Sequence, residues 1–424
     1  MINLSGELLR SPQLRFNYSS PSAVDFDSRR GLKRHGPYDS AVLGKDFIRA
    51  AVVYPQSCES DKDILINGLT QGRDPFTGFQ SYFRVPIRIE QERSLSSESD
   101  FEMKTTANNL AEQGGLDVVL IIKASRNEQL YQVAKRTLLG NGIPNQFVTV
   151  AKLRDSRQVP WVIENLALAC YAKAGGTPWV IASNTRKHEL VIGVSRVQDT
   201  NRQFVVGFVT LFTQDGDFLF LNSSAPVLKW ERDEYTEGLS NLIVETYHQY
   251  ERIQGTPESI TIHLCKRPGR YREVEAAERA IEVLGISVPY ALVHLNDDTN
   301  FRVFDAAHPT GVPQAGLRVD LSGRSALLLL DGRKGQRPRY RRGVPNVFYV
   351  SMDPRSTLPY DEFPRLARQI HSFARVNWRG FNASAVPVTL NYSKLIARMI
   401  VDIGSDNWNQ AISMGRLRDK AWFL

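Results

Sequence analysis

Four side chains within one stretch of this sequence could together hold an anion: Tyr131, Lys135, Gln146 and Lys173. Tyr131 and Lys135 stand four residues apart in NEQLYQVAKRTLLGNG, where Leu130, Val133, Ala134 and Leu138 make a helical apolar stripe, so both project from one helix face. The run before it, LDVVLIIKA (116–124), has the length and continuous apolarity of a parallel strand covered on both faces. A helix entered from such a strand has its free N–H groups near the carboxyl edge of the sheet, where an anion is stabilised. Gln146 falls at the start of the next strand, and Lys173 late on the helix after it. A phosphate needs cations and donors converging from several elements, and a tyrosine adds a hydroxyl donor and a ring for stacking a terminal base. Singly, each has an ordinary reading as a solvated lysine or a packed tyrosine; the set points to an anion.

A second candidate is RKGQRPRYRR (333–342), which holds six cations and no acid. Such a run is most often a solvated loop. Here a strand pattern, VPNVFYVSM, follows at once, and a basic loop anchored to a sheet suits phosphate contact through Arg339, Arg341 and Arg342. The whole chain of 424 residues has 53 Lys and Arg against 45 Asp and Glu, a formal net charge of +8, which fits a polyanionic partner without requiring one.

The elements that must position these groups read as follows. Composition is globular, with 42% hydrophobic and 23% charged residues, no run is apolar enough for a membrane span, and no secretory leader is visible. Three scattered cysteines without CxxC spacing suit a reducing, cytoplasmic setting. Residues 1–45 are expected to be an extended lead-in. IRAAVVYP (48–55) is a buried strand, and residues 90–114 are expected to be a charged helix. Then strand 116–124, helix, strand 145–153, helix 159–176 and strand 177–182 predict a small doubly wound, Rossmann-like parallel sheet over residues 46–183. From residue 184 to 424, three neighbouring strands (189–197, 203–213, 217–222) precede strands alternating with helices near 233–253, 272–284, 360–376 and 391–403. That order is ribonuclease-H-like, one of several α/β possibilities on pattern alone.

Those pieces resemble a short prokaryotic Argonaute built of MID and PIWI domains. The match is carried by GLKRHGPYD (31–39), Tyr131 with Lys135, IPNQF (143–147), NLALACYAKAGGTPW (165–179), HLCKRP (263–268), HLN (294–296), NWRGF (377–381), PVTLNYSKL (387–395) and AWFL (421–424). The resemblance implies that Tyr131, Lys135, Gln146 and Lys173 seize the 5′ phosphate of a guide strand. It also implies that the Leu424 carboxylate helps hold Mg²⁺ or another divalent cation beside that phosphate, and that Arg379 contacts the guide or target backbone. Ala169 stands where a polar residue sometimes assists the metal.

A slicing PIWI domain holds two Mg²⁺ ions with carboxylates. At the corresponding places this chain has Gly193 and Val194, then Cys265, Lys266 and Arg267, then Lys394. Cations at two of three positions would repel such ions, so the expected PIWI domain is inactive. The alternative is a nuclease with an atypical site, from Asp297 and Asp298 or from Asp215 and Asp217, although these pairs read as turn residues. The expected partners are a guide, taken as RNA, and a complementary target, taken as DNA, although the residues do not distinguish the two. A further partner is an effector protein supplying N-terminal-like or APAZ-like and toxic domains in a defence system. Its expected contact surface is the lead-in with region 90–114, because neither is needed to build the pocket.

Overall fold

The computed structural model describes residues 4–124, 127–182, 188–198, 203–224, 226–264, 272–334, 343–403, 417 and 420–424. The chain divides into two compact units. One comprises Leu14–Val180, Trp378–Phe381 and Arg398–Leu424; the other comprises Met1–Gln13, Ile181–Asn377 and Asn382–Ala397. The crossing at Val180 lies close to the expected boundary at 183. The units are not continuous in sequence: residues 14–45 of the lead-in and the C-terminal residues group with the Rossmann-like sheet, whereas Met1–Gln13 group with the other unit.

That sheet has four parallel strands in the order Ile87–Leu95, Ile48–Pro55, Val118–Lys123, Asn145–Thr149. Residues 87–95 are thus a strand where a helix was expected to begin at 90, and the helix is Asp100–Gln113. The strand is an edge, so Arg88, Glu90, Glu92 and Ser94 can face water while Ile87 and Leu95 are buried. Strand 145–153 likewise stops at Thr149 and turns into a short helix, Val150–Arg154. The expected strand 177–182 does not join the parallel sheet. Its Thr177 and Pro178 carbonyls accept from Asp39 (3.4 Å) and Tyr38 (3.0 Å), so the lead-in occupies its backbone.

The lead-in is therefore structural, not a detached surface. It contains a helix, Ser28–His35, capped by the Asp27 carboxylate, and it buries Leu14, Phe16 and Leu32. Gly31 lets that helix touch Phe16, since a Cβ there would lie 2.1 Å from the ring. Asp39 is buried and accepts from the Tyr171 hydroxyl at 2.5 Å and the Thr177 amide at 2.9 Å. Burial pushes its carboxyl up to about 6 against the lowering effect of those two bonds.

The other unit is organised on a ten-stranded sheet. One side of it is an antiparallel triplet, Phe218–Ser223, Phe204–Thr213 and Glu189–Gln198, followed inward by Ser259–Leu264 and Tyr290–Asn296, both parallel to the third. This is the ribonuclease-H-like order expected from the sequence. Helices Arg232–Gln254 and Glu273–Leu284 cover one face through Leu239, Ile243, Tyr247, Ala276 and Ala280. On the other face Phe363–Phe373 packs against Val293, Leu328 and Val350.

Candidate nucleic-acid interface

The helix carrying Tyr131 and Lys135 runs Glu128–Gly140 and is started by Asn127, whose side chain accepts from the Leu130 amide at 3.0 Å. Leu130, Ala134 and Leu138 pack against Val119 and Ile121 of the sheet. Asn145–Thr149 is the edge strand next to Val118–Lys123. The Val119 amide donates to Pro144 (2.9 Å), so by ladder alternation the Asn145 carbonyl points outward from the sheet edge. An outward carbonyl needs partners from elsewhere. It has two: Lys135 Nζ donates to it at 3.3 Å and Lys173 Nζ at 3.0 Å. Lys173 donates also to the Trp422 carbonyl at 3.0 Å. The structure thus brings together both predicted lysines and the C-terminal residues.

Burial costs these cations. Lys135 is pushed down to about 8, chiefly by desolvation and partly offset by the Asp402 carboxylate. Lys173 lies well below the ordinary lysine range, first through desolvation and then through repulsion from Lys135, with Arg379 adding to it. Among the described residues neither lysine has an ion-pair partner. Two buried lysine side chains held only by neutral carbonyls form a site in which an anion would favour the charged form of both.

Side-chain alternation places Asn145 and Phe147, register partners of Val119 and Ile121, on the face of the Tyr131 helix. Tyr131 and Phe147 stand 4.8 Å apart at 46°, and Lys135 and Lys123 Nζ lie 5.5 and 5.6 Å from the Tyr131 ring. Burial, with Asp402 and Glu128, pushes the Tyr131 hydroxyl up to about 12, so it remains a donor at neutral pH. Gln146 points to the opposite face, and its amide donates to the Phe147 carbonyl at 3.5 Å, the next outward carbonyl along the same edge. Leu424 is buried with Ala421, Trp422 and Phe423, and its amide donates to Ala421 at 3.2 Å.

Arg379 was assigned from sequence to the strand backbone; its charge acts on Tyr131 and Lys173. The segment bearing it is pinned on both sides. Trp378 Nε1 donates to the Trp179 carbonyl at 3.0 Å, and Ser28 Oγ to the Phe381 carbonyl at 2.7 Å. Arg29 sits 4.8 Å from the Trp161 ring and 5.0 Å from the Phe381 ring while pairing with buried Glu164 at 2.7 Å. Arg339, Arg341 and Arg342 lie outside the described residues. Arg333, at the start of that basic run, turns inward to Asp305 and the Val312 carbonyl.

Sequence reasoning missed Lys123, Asn145 and Asp402. Lys123 carries a usable signal, a cation at the carboxyl end of an apolar parallel strand. Asp402 gives none, because only folding brings the end of helix Val388–Ile403 beside Lys135 and Arg136.

In the ribonuclease-H-like unit, Gly193 aligns with His263 on the neighbouring strand. A Cβ at Gly193 would lie 2.6 Å from Thr210 Oγ1 and 3.2 Å from the Thr389 carbonyl. His263 is buried, bonds Thr389 Oγ1 at 3.0 Å, and is pushed by desolvation down to about 3, so it is neutral. Val194 faces the opposite side, in the core with Ile262 and Leu292. Lys394 pairs with Asp297. Cys265, Lys266 and Arg267 are outside the described residues.

A Rossmann-like sheet with a lysine pocket and a ribonuclease-H-like sheet are the two parts that the resemblance to an Argonaute implies. The Piwi domain family model matches residues 117–327, about half of the chain. The chain is 26% identical to a Piwi protein of Archaeoglobus fulgidus over 414 residues, 93% of each. It is 24% identical to an argonaute protein of Cereibacter sphaeroides, covering 93% of this chain and 56% of that one. The solved Clostridium butyricum Argonaute, bound to a guide DNA and a 19-mer target DNA, superposes with a TM-score of 0.76 at 16% identity, over 94% of this chain and 53% of its own. Drosophila Piwi gives 0.75 at 15%, over 99% and 56%. The chain thus spans nearly all of the Archaeoglobus protein and about half of the other three. Among the described residues no helix is long and apolar enough to cross a membrane.

Proposed function

We propose that the chain binds the phosphorylated 5′ end of a guide strand in the lysine pocket and pairs that guide with a complementary target without cutting it. The observation that carries the reading is the convergence of two buried lysine Nζ atoms, of Lys135 and Lys173, on one carbonyl oxygen. A phosphate dianion would supply the missing counter-charge, and the Tyr131 ring and hydroxyl would meet the terminal nucleotide. The guide and target in the Clostridium structure support this reading. It is tested by titrating a 5′-phosphorylated against a 5′-hydroxyl oligonucleotide; equal affinities would refute it.

The oxygen donors near Lys173 fit a hard divalent cation only in the company of the phosphate, whose charge would offset the two ammonium groups. The Leu424 carboxylate, two residues from the Trp422 carbonyl, is the group that would hold such a cation and so screen the phosphate. Steric closure at Gly193 supports the absence of slicing, because an acid there would collide with Thr210 and the Thr389 backbone. Asp297 is already engaged by Lys394, which weighs against an atypical metal site.

We further propose that target pairing is reported to an effector protein in a defence system, since a binder without chemistry needs a second site whose state changes. RNA as guide and DNA as target are part of the same proposal. The surface for such a partner is the exposed part of the lead-in, with Phe26 and Val42 outward, together with helix Asp100–Gln113, where Phe101 is 82% exposed. Copurification of a second protein whose activity rises on adding complementary target would bear this out. A chain always isolated alone would favour a stand-alone binder.

A further inference from the structure

We propose that the side-chain amide of Asn145 is a recognition group of the pocket, its Nδ2–H donating to a non-bridging oxygen of the bound terminal phosphate. The inference rests on reading the lysine pocket as a phosphate site. Asn145 is fully buried, and neither its Oδ1 nor its Nδ2 has a hydrogen-bond partner. A buried primary amide offers two donors and an acceptor, and leaving them unmet is unfavourable. Asparagine is also a poor strand residue, so nothing about its place at the head of an edge strand explains it.

Its position explains it better. The backbone carbonyl of this same residue receives both lysines, and alternation along the strand turns its side chain to the Tyr131 and Phe147 face. A ligand drawn to Lys135 and Lys173 would arrive beside the amide. Two ammonium groups there disfavour a cation at Oδ1 and favour an anion at Nδ2. The division of labour is chemical: an ammonium is a point charge on a flexible stem, whereas a planar amide donates in a fixed direction. A terminal phosphate has anionic non-bridging oxygens to accept a charge-assisted bond, whereas a terminal hydroxyl offers only one neutral oxygen.

The test compares binding of 5′-phosphorylated and 5′-hydroxyl oligonucleotides by the unmutated chain, Asn145→Ala and Asn145→Asp, with thermal unfolding of each. Asn145→Ala should lower the affinity for the phosphorylated strand about tenfold, the loss of one charge-assisted hydrogen bond, and leave the hydroxyl strand unchanged. Asn145→Asp, nearly isosteric but without the donor and with a negative charge, should abolish the preference for phosphate. An unchanged affinity ratio in Asn145→Ala would overturn the proposal, as would tighter, Mg²⁺-dependent binding in Asn145→Asp, which would make the side chain a cation ligand. No preference in the unmutated chain would instead refute the phosphate pocket itself, and this inference with it.

Discussion

Lys135 and Lys173 donate to the same acceptor, the outward carbonyl of Asn145, at 3.3 and 3.0 Å. The shared acceptor makes the two lysines one site. Replacing either by alanine should weaken binding of a 5′-phosphorylated strand by about 1.5–3 kcal/mol, roughly ten- to a hundredfold, and should leave 5′-hydroxyl binding nearly unchanged. A filter-binding or anisotropy titration of both strands reads the difference.

Burial holds Lys135 near 8 in the ligand-free chain, below the ordinary 10.5. A bound phosphate raises it again, so binding should take up protons, and affinity should fall as pH rises through about 8. Stability moves the other way. Between about 8 and 10.5 the folded chain binds fewer protons at this lysine than the unfolded chain, so the lysine's contribution to ligand-free stability rises with pH across that window. Calorimetry in buffers of different ionisation enthalpy checks the first statement, and denaturation at several pH values the second.

The Lys173–Trp422 bond ties the pocket to the last residues of the chain. Adding two residues after Leu424 should reduce affinity for the phosphorylated strand and its dependence on Mg²⁺ while leaving the unfolding temperature unchanged. Identical titrations with and without the extension would remove the terminal carboxylate from the site.

Gly193→Asp should not create a nuclease. The new Cβ meets Thr210 Oγ1 at 2.6 Å, so the expected result is destabilisation of about 1–3 kcal/mol and no cleavage of a guide-paired target in Mn²⁺. A discrete product from this variant, or from the unmutated chain, would contradict the proposal of a non-cutting protein.

Arg29 is the partner of Glu164, a carboxylate with no exposure, which also accepts from the Tyr82 hydroxyl at 3.0 Å. Arg29→Ala leaves that charge buried with one neutral donor and should cost about 3 kcal/mol in denaturant unfolding. Because Arg29 also packs on Phe381, phosphate affinity should fall with it.

By itself the sequence determined the elements whose signals are local. The helix bearing Tyr131 and Lys135, the apolar strand before it, the three neighbouring strands of the second unit and the non-acidic residues at Gly193 and Lys394 were all legible, because periodicity and residue type act over a few positions. Residues 90–95 were misread for the same reason: their many charges suited a solvated helix, and only their place at a sheet edge makes them compatible with a strand. Tertiary structure decided the rest. Which carbonyl of an edge strand points outward depends on ladder register, and which lysines reach it depends on how helices pack. The contact from Lys173 to Trp422 spans 249 residues, and Asp402 and Arg379 enter the pocket's field from equally distant segments. No local pattern encodes such meetings, because they are selected by burial of the whole unit, to whose core the lead-in contributes Leu14, Phe16 and Leu32.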